Sequence, residues 1–133
     1  MSNKPLRVSV ALLAIGELAY IAHRVIYPDI PESRLAATNL HAASGPVRQQ
    51  VADAATRKGA WSGLARSLPQ STTVDTGYGA ASVKVADNGH ITLNLPRHHL
   101  TLQYSPVPAS GAVLWQCTGT PQRDMPLGCR WGN

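Results

Sequence analysis

The spacing of apolar residues divides the chain into three stretches. An almost unbroken apolar segment runs from Val8 to Ala22, apolar residues then recur every three or four positions over 30–59, and they alternate with polar residues over 82–117. The three-to-four interval is typical of one face of an α-helix, and alternation is typical of a half-buried strand. The pattern therefore predicts an α+β domain, in which a long N-terminal helix packs on an antiparallel sheet.

The predicted helix over 30–59 has recognisable ends. Asp29-Ile30-Pro31-Glu32 has the spacing of a capping box, so the helix should begin near Pro31. Gly59 is a typical residue for the C-terminal end. Pro46 should kink the helix without ending it, because the apolar period resumes at once. The predicted apolar stripe consists of Leu35, Ala36, Leu40, Ala43, Val47, Val51 and Ala54 or Ala55.

The remainder of the domain is predicted to be a connecting loop followed by four strands. Residues 60–81 are rich in Ser, Thr, Gly and Pro and show no sustained period. Asp87-Asn88-Gly89 predicts a tight type I′ hairpin, because Asn-Gly tolerates the positive φ angles of that turn. The four strands are expected around Val83 and Val85, around Ile91, Leu93 and Leu95, around Leu100, Leu102 and Tyr104, and around Val113 and Trp115.

Residues 1–27 form a separate hydrophobic element. The span from Leu6 to Tyr27 is about long enough to cross a bilayer. Lys4 and Arg7 precede it, which favours a cytoplasmic N-terminus and an exported C-terminal domain. Glu17 lies near its middle, where an unpaired charge costs about 2.5 to 3.5 kcal/mol and calls for a partner. A cleaved signal peptide and a buried helix of a soluble protein are the alternatives.

Two cysteines, Cys117 and Cys129, lie late in the chain. Such a pair is compatible with free thiols, a disulfide or half of a metal site. No CxxC or HxxxH motif completes a zinc site, and an exported domain would fold where disulfides form. We therefore expect a disulfide.

The charge pattern favours weak binding of anions over any recognisable catalysis. The formal net charge is +5, but charged residues make up only 14% of the chain and the basic ones are scattered, so attraction to DNA or anionic lipid should be weak. His98 and His99 should point to opposite faces of a strand, which disfavours a shared metal site with His90. No nucleophile lies in a triad-like context. We expect no catalytic residue, metal, cofactor or small-molecule substrate. The possible nucleic-acid contacts are Lys84, Arg97, Arg123 and Arg130.

Three segments resemble the type IV pilins. LHAASGPVRQQVADAATRKGAW (40–61) resembles the pilin segment that leads from the helix into its loop, and VKVADNGHITLNL (83–95) resembles the central hairpin. VLWQCTGTPQRDMPLGCR (113–130) is similar to the last strand and disulfide loop, with Trp115 two residues before the first cysteine. Pro28 matches the proline that bends the pilin helix. On that alignment Leu6, Arg7 and Ala11 occupy the positions of the prepilin processing signal, which is therefore missing.

The resemblance implies a pilin-like fold and a role in assembly. It implies a membrane or filament-core helix over 1–27 and a globular domain over 28–133, comprising helix 30–59, loop 60–81, four-stranded sheet 82–117 and disulfide loop 117–129. The implied partners are other pilin subunits or pilus assembly proteins and the inner membrane, with a periplasmic domain or a place in a cell-surface pilus. A non-polymerising, pilin-fold interaction protein or inhibitor and a DNA-binding pilus receptor are the alternatives. The expected assembly residues are Leu12, Leu13, Ile15, Glu17, Leu18, Ile21 and Pro28.

Overall fold

The domain begins with a single long helix, which is followed by an antiparallel sheet. The computed structural model describes residues 30–69 and 71–130. Helix α1 (Glu32–Lys58) begins after Pro31, whose carbonyl accepts hydrogen bonds from the amides of Arg34 and Leu35 at 3.0 and 3.2 Å. The predicted cap residue Asp29 lies outside the described residues. The helix continues through Pro46 and ends at Gly59, as predicted, where a φ of 72° lets the Gly59 amide bond to the Ala55 carbonyl at 2.8 Å.

The face of α1 that packs on the sheet is made mostly of small residues. Its buried positions are Ala36, Ala37, Leu40, Ser44, Val51, Ala54 and Ala55. Leu35 was expected on this stripe but is 39% exposed. Successive helical residues are rotated by about 100°, so turning Ala36 and Leu40 toward the sheet leaves Leu35 on the solvent side.

The sheet has five strands rather than the four that the sequence predicted. They are β1 (Ser71–Asp75), β2 (Ala80–Val85), β3 (Ile91–Leu95), β4 (Leu100–Ala109) and β5 (Ala112–Thr120). Each strand pairs with the next along the chain, giving an antiparallel meander in the order β1-β2-β3-β4-β5. Strand β1 lies within the predicted loop 60–81. It offers no apolar alternation, because Val74 is its only side chain that is not fully exposed, and it forms instead through backbone pairing with β2.

The inner face of the sheet and α1 together enclose the core. Val83, Leu93 and Leu102 lie side by side on β2, β3 and β4, and each is no more than 2% exposed. Because the chain lacks phenylalanine, the core is aliphatic apart from Tyr104 and an edge-to-face pair of Trp61 with Trp115, whose ring centroids are 6.2 Å apart.

The outer face of the sheet is polar, because alternate residues of each strand point away from α1. Within the described residues no helix packs on this face. The register places Lys84, Thr92, Gln103 and Thr118 in one row across β2 to β5, and Ser82, Asn94, Thr101 and Thr120 in the next.

The turn between β2 and β3 is longer than the predicted two-residue type I′ turn. The Gly89 amide bonds to the Ala86 carbonyl at 3.0 Å, and the Ala86 amide bonds to the His90 carbonyl at 2.8 Å. Gly89 has a φ of 85°, whereas Asn88 is not among the residues with positive φ. This is a type I turn followed by a left-handed glycine that forms a bulge. Packing also requires a glycine here, because a Cβ would lie 2.7 Å from the Trp61 ring.

Candidate functional site

The disulfide loop (Cys117–Cys129) is the most distinctive feature of the C-terminal end. Cys117 near the end of β5 is bonded to Cys129 in a short 3-10 turn (Leu127–Cys129), which confirms the expected disulfide. Met125 is fully buried beneath the loop, whereas Arg123 and Leu127 project outward with side-chain and residue exposures of 84% and 78%. The loop is therefore fixed at its base and presents a charged and an apolar side chain to solvent.

Gly119 allows Met125 to occupy this position. Gly119 lies opposite Leu102 on the inner face of the sheet, and a Cβ there would lie 2.8 Å from Leu102 Cδ2 and 3.0 Å from Met125 Cγ. The small residue that the sequence places two positions after Cys117 is thus a packing requirement of the loop.

A polar cluster lies between α1 and the sheet, next to the disulfide. His41 Nδ1 is 2.6 Å from the Tyr104 hydroxyl and 3.8 Å from Cys129 Sγ. Ser44 Oγ donates to the His41 carbonyl at 2.6 Å and accepts from Arg48 Nε at 3.2 Å. Arg48 Cζ lies 5.1 Å from the centre of the Tyr104 ring, within the range of a cation–π contact.

Electrostatics keep this cluster in its neutral form. Burial, followed by the nearby Arg48 charge, lowers the pKa of His41 from its ordinary value of 6.5. Burial raises the pKa of Tyr104, and this effect is opposed by a hydrogen bond with Ser44 and by Arg48. At neutral pH His41 is therefore an uncharged imidazole whose Nδ1 accepts the Tyr104 proton. None of these residues was singled out from the sequence as a site, because His41 and Tyr104 are 63 positions apart.

The geometry of possible metal ligands argues against a conventional metal site. Within the part of the chain that the structure describes, the one cluster of potential ligands joins His41 with Cys117 and Cys129. Both sulfur atoms are committed to the disulfide, so they are not the thiolates that bind metals. His90 precedes β3 and its Nδ1 is 3.3 Å from Ser105 Oγ, whereas His98 follows β3 and its Nε2 is 3.3 Å from Glu32. The structure therefore does not bring these two histidines together.

The predicted nucleic-acid contacts are divided between two surfaces. Lys84 is on the outer face of β2, and Arg130 lines a groove of about 290 Å³ with Gln103 and Thr118 on the same face. Arg130 Nε also donates to the Met125 carbonyl at 2.9 Å.

The other two arginines lie in turns outside the strands. Arg97 is in the β3–β4 turn. The Arg123 carbonyl accepts a hydrogen bond from Arg34 on α1 at 3.1 Å, and Arg123 Nε is 3.9 Å from Asp124. Arg34 is thus an additional cation at this surface that the sequence did not identify.

The expected assembly residues cannot be placed by the structure. Leu12, Leu13, Ile15, Glu17, Leu18, Ile21 and Pro28 lie outside the described residues. No helix in 30–69 or 71–130 is both long and apolar enough to cross a membrane.

Comparison of the chain with protein-family models, with curated proteins and with solved structures finds no match in any of the three. The fold and site define the class of this domain by themselves. It is an α+β domain with one helix on an antiparallel five-stranded sheet, and a C-terminal loop closed by the Cys117–Cys129 disulfide.

Proposed function

We propose that the chain is a pilin-like structural or assembly subunit, of the minor or accessory kind, that acts through helix packing and surface-loop contacts. The observation that carries the proposal is the order of the parts. A long helix is followed by an antiparallel meander, and a disulfide joins the last strand to a C-terminal loop. An apolar segment with a buried-type carboxylate, Glu17, precedes the helix in sequence.

The division of surfaces also supports a role in binding other proteins. Arg123 and Leu127 stand out from a loop whose base is held by the disulfide and by buried Met125. A rigid base limits the entropy lost when such a loop is ordered in a complex. The apolar segment 1–27 would supply lateral contacts in the inner membrane or a filament core, with the domain in the periplasm or on a pilus. Glu17 would then pair with a cation of a neighbouring subunit.

A photo-crosslinking experiment tests this proposal. A photoreactive residue at Ile15 should give adducts with filament subunits in sheared surface filaments, and one at Leu127 should give adducts with the same subunits or with assembly proteins. Gln50, an exposed residue in the middle of α1, provides the comparison position. Recovery of the chain only as a soluble one-to-one complex would support the interaction-protein or inhibitor alternative and reject a filament subunit.

A DNA-binding role is a second candidate, which the outer face of the sheet favours. Lys84 and Arg130 bring two cations to a face otherwise rich in hydroxyl and amide groups, and phosphate groups are bound by this combination. Affinity should fall steeply with added salt. Lys84→Gln should weaken binding and reduce the salt slope by about 1, whereas Lys58→Gln at the end of α1 should not. Binding that is absent or insensitive to salt would eliminate this candidate.

A further inference from the structure

The last strand of the sheet has an unpaired side. In an antiparallel ladder, alternate residues direct both backbone polar groups toward the same neighbouring strand. The Ala86 amide bonds to the His90 carbonyl at 2.8 Å, so His90 faces β2 and Ile91 faces β4. Ile91 is opposite Tyr104, and Tyr104 therefore faces β3.

The same alternation then determines the orientation of β5. If Tyr104 faces β3, Val107 faces β5, and its partner Leu114 faces β4. Val113 and Trp115 must therefore direct their amides and carbonyls away from the sheet. In the part of the chain that the structure describes, neither residue has a backbone hydrogen bond outside the ladder.

The two edges of the β4–β5 hairpin differ in a way that leaves only the β5 edge open. Strand β4 extends beyond the start of β3, and on this extension Pro106 and Pro108 occupy the positions that face the missing strand. Proline has no amide hydrogen, so this edge cannot pair with another strand. The β5 edge carries no proline between Ala112 and Thr120. Edge strands are commonly blocked to prevent association, and here only one edge of the hairpin is blocked.

An apolar pair adjoins the open edge. Val107 and Leu114 are cross-strand partners on the outer face and are 37% and 61% exposed. Most other outward positions on the sheet carry hydroxyl, amide or charged side chains. The only large apolar side chains on this face within the described residues are thus next to the backbone groups that lack partners.

We propose that the β5 edge binds the β5 edge of a second copy of this chain, antiparallel, with the two-fold axis at Leu114. Val113 then exchanges hydrogen bonds with Trp115 of the second copy, because these residues carry the outward backbone groups. Leu114 falls in a non-hydrogen-bonded pair with Leu114 of the second copy, where side chains are closest. Each copy uses the same surface, as a two-fold interface requires.

Charge complementarity under α1 favours a second copy as the partner. A cleft of about 420 Å³ lies between α1 and β5, and both Arg48 and Asp53 line it together with Val113 and Trp115. Arg48 lies toward the Tyr104 end of β5, since it stacks on that ring, whereas Asp53 is one and a half turns farther along α1. A two-fold axis at Leu114 reverses this order in the second copy, so Arg48 of each copy lies on the side of Asp53 of the other.

The proposal goes beyond a filament role and does not depend on it. Cross-linking and oligomeric state of the full chain in mild-detergent micelles test it. Leu114→Cys should form an intermolecular disulfide, because the Cα atoms of a non-hydrogen-bonded pair are about 4.5 Å apart, within the range of disulfide geometry. Asn94→Cys, exposed on the outer face of β3, is the matched control and should remain uncross-linked. Peptide mapping should show that Cys117 and Cys129 are still joined.

Two further variants separate the edge from the rest of the surface. Leu114→Arg should convert the dimer to a monomer by placing like charges opposite each other, whereas Asn94→Arg adds the same charge and should leave the dimer intact. Val113→Pro should also give a monomer, because it removes an outward amide opposite Pro108 and spares the pairing with β4; Val113→Thr keeps the amide and should dimerise.

A monomeric wild-type chain, or a dimer that survives Leu114→Arg without cross-linking through residue 114, would overturn the proposal. The second result would assign association to another surface. Loss of filament adducts at Ile15 would instead reject the pilin-like role and leave the β5 interface standing.

Discussion

Replacing Tyr104 with Phe removes one hydroxyl group and leaves the aromatic ring in place. Tyr104 is 1% exposed, and its hydroxyl lies 2.6 Å from His41 Nδ1. The phenyl ring can still pack beneath Arg48, so the change isolates the hydrogen bond. Because the variant leaves His41 Nδ1 in a partly buried site without its donor, the free energy of unfolding should fall by about 1 to 2 kcal/mol.

Urea denaturation at pH 7.5, followed by circular dichroism, measures this change. The slope against urea should stay the same, since the surface exposed on unfolding is unchanged. Tyr78→Phe is the matched control, because the Tyr78 ring contacts His98 at 5.9 Å but its hydroxyl makes no hydrogen bond within the described residues. It should cost less than about 0.5 kcal/mol. A loss below that value in Tyr104→Phe would refute the view that the His41 pair stabilises the interface between helix and sheet.

Three other predictions concern the same end of the molecule. The folded-state pKa of His41 lies below 6.5, so the folded protein binds fewer protons than the unfolded chain. Stability should fall as pH drops through 6.5 toward that lower pKa, and His41→Gln should flatten the dependence in denaturation series at several pH values. Cys117→Ala with Cys129→Ala should cost about 3 kcal/mol for a separation of 12 residues; no difference from the oxidised protein in urea would contradict this. Gly119→Ala should lower stability by about 1 to 3 kcal/mol through overpacking, whereas Gly128→Ala, with no atom within 4 Å, should leave the melting temperature nearly unchanged.

The uneven distribution of hydrogen-bonding groups gives the two faces of the sheet different tolerances. Substitutions at Leu93 or Leu102 alter a fully buried layer, where each lost methylene is felt. Positions such as Asn94 and Gln103 are exposed on the outer face and can be changed to probe binding without disturbing the fold. The variants proposed for DNA binding and for dimerisation use this difference.

Local patterns in the sequence were sufficient to predict most of the regular structure. The three-to-four period and Gly59 predicted α1 and its end, and alternation predicted β3 and the core-facing residues of β4. These features depend on interactions between residues that are close along the chain, or on burial of one face, and both leave a periodic record. The pairing of Cys117 with Cys129 was predicted from their number and setting, and the structure confirms it.

Only the tertiary structure decided the features that depend on distant partners. Strand β1 carries almost no apolar signal, because a neighbouring backbone creates it. The His41–Tyr104 pair joins residues 63 positions apart, and the open edge of β5 follows from the phase of hydrogen bonds transmitted across four strands. Periodicity records which face of an element is buried, but it carries no record of the element that buries it, and so these contacts required the folded arrangement.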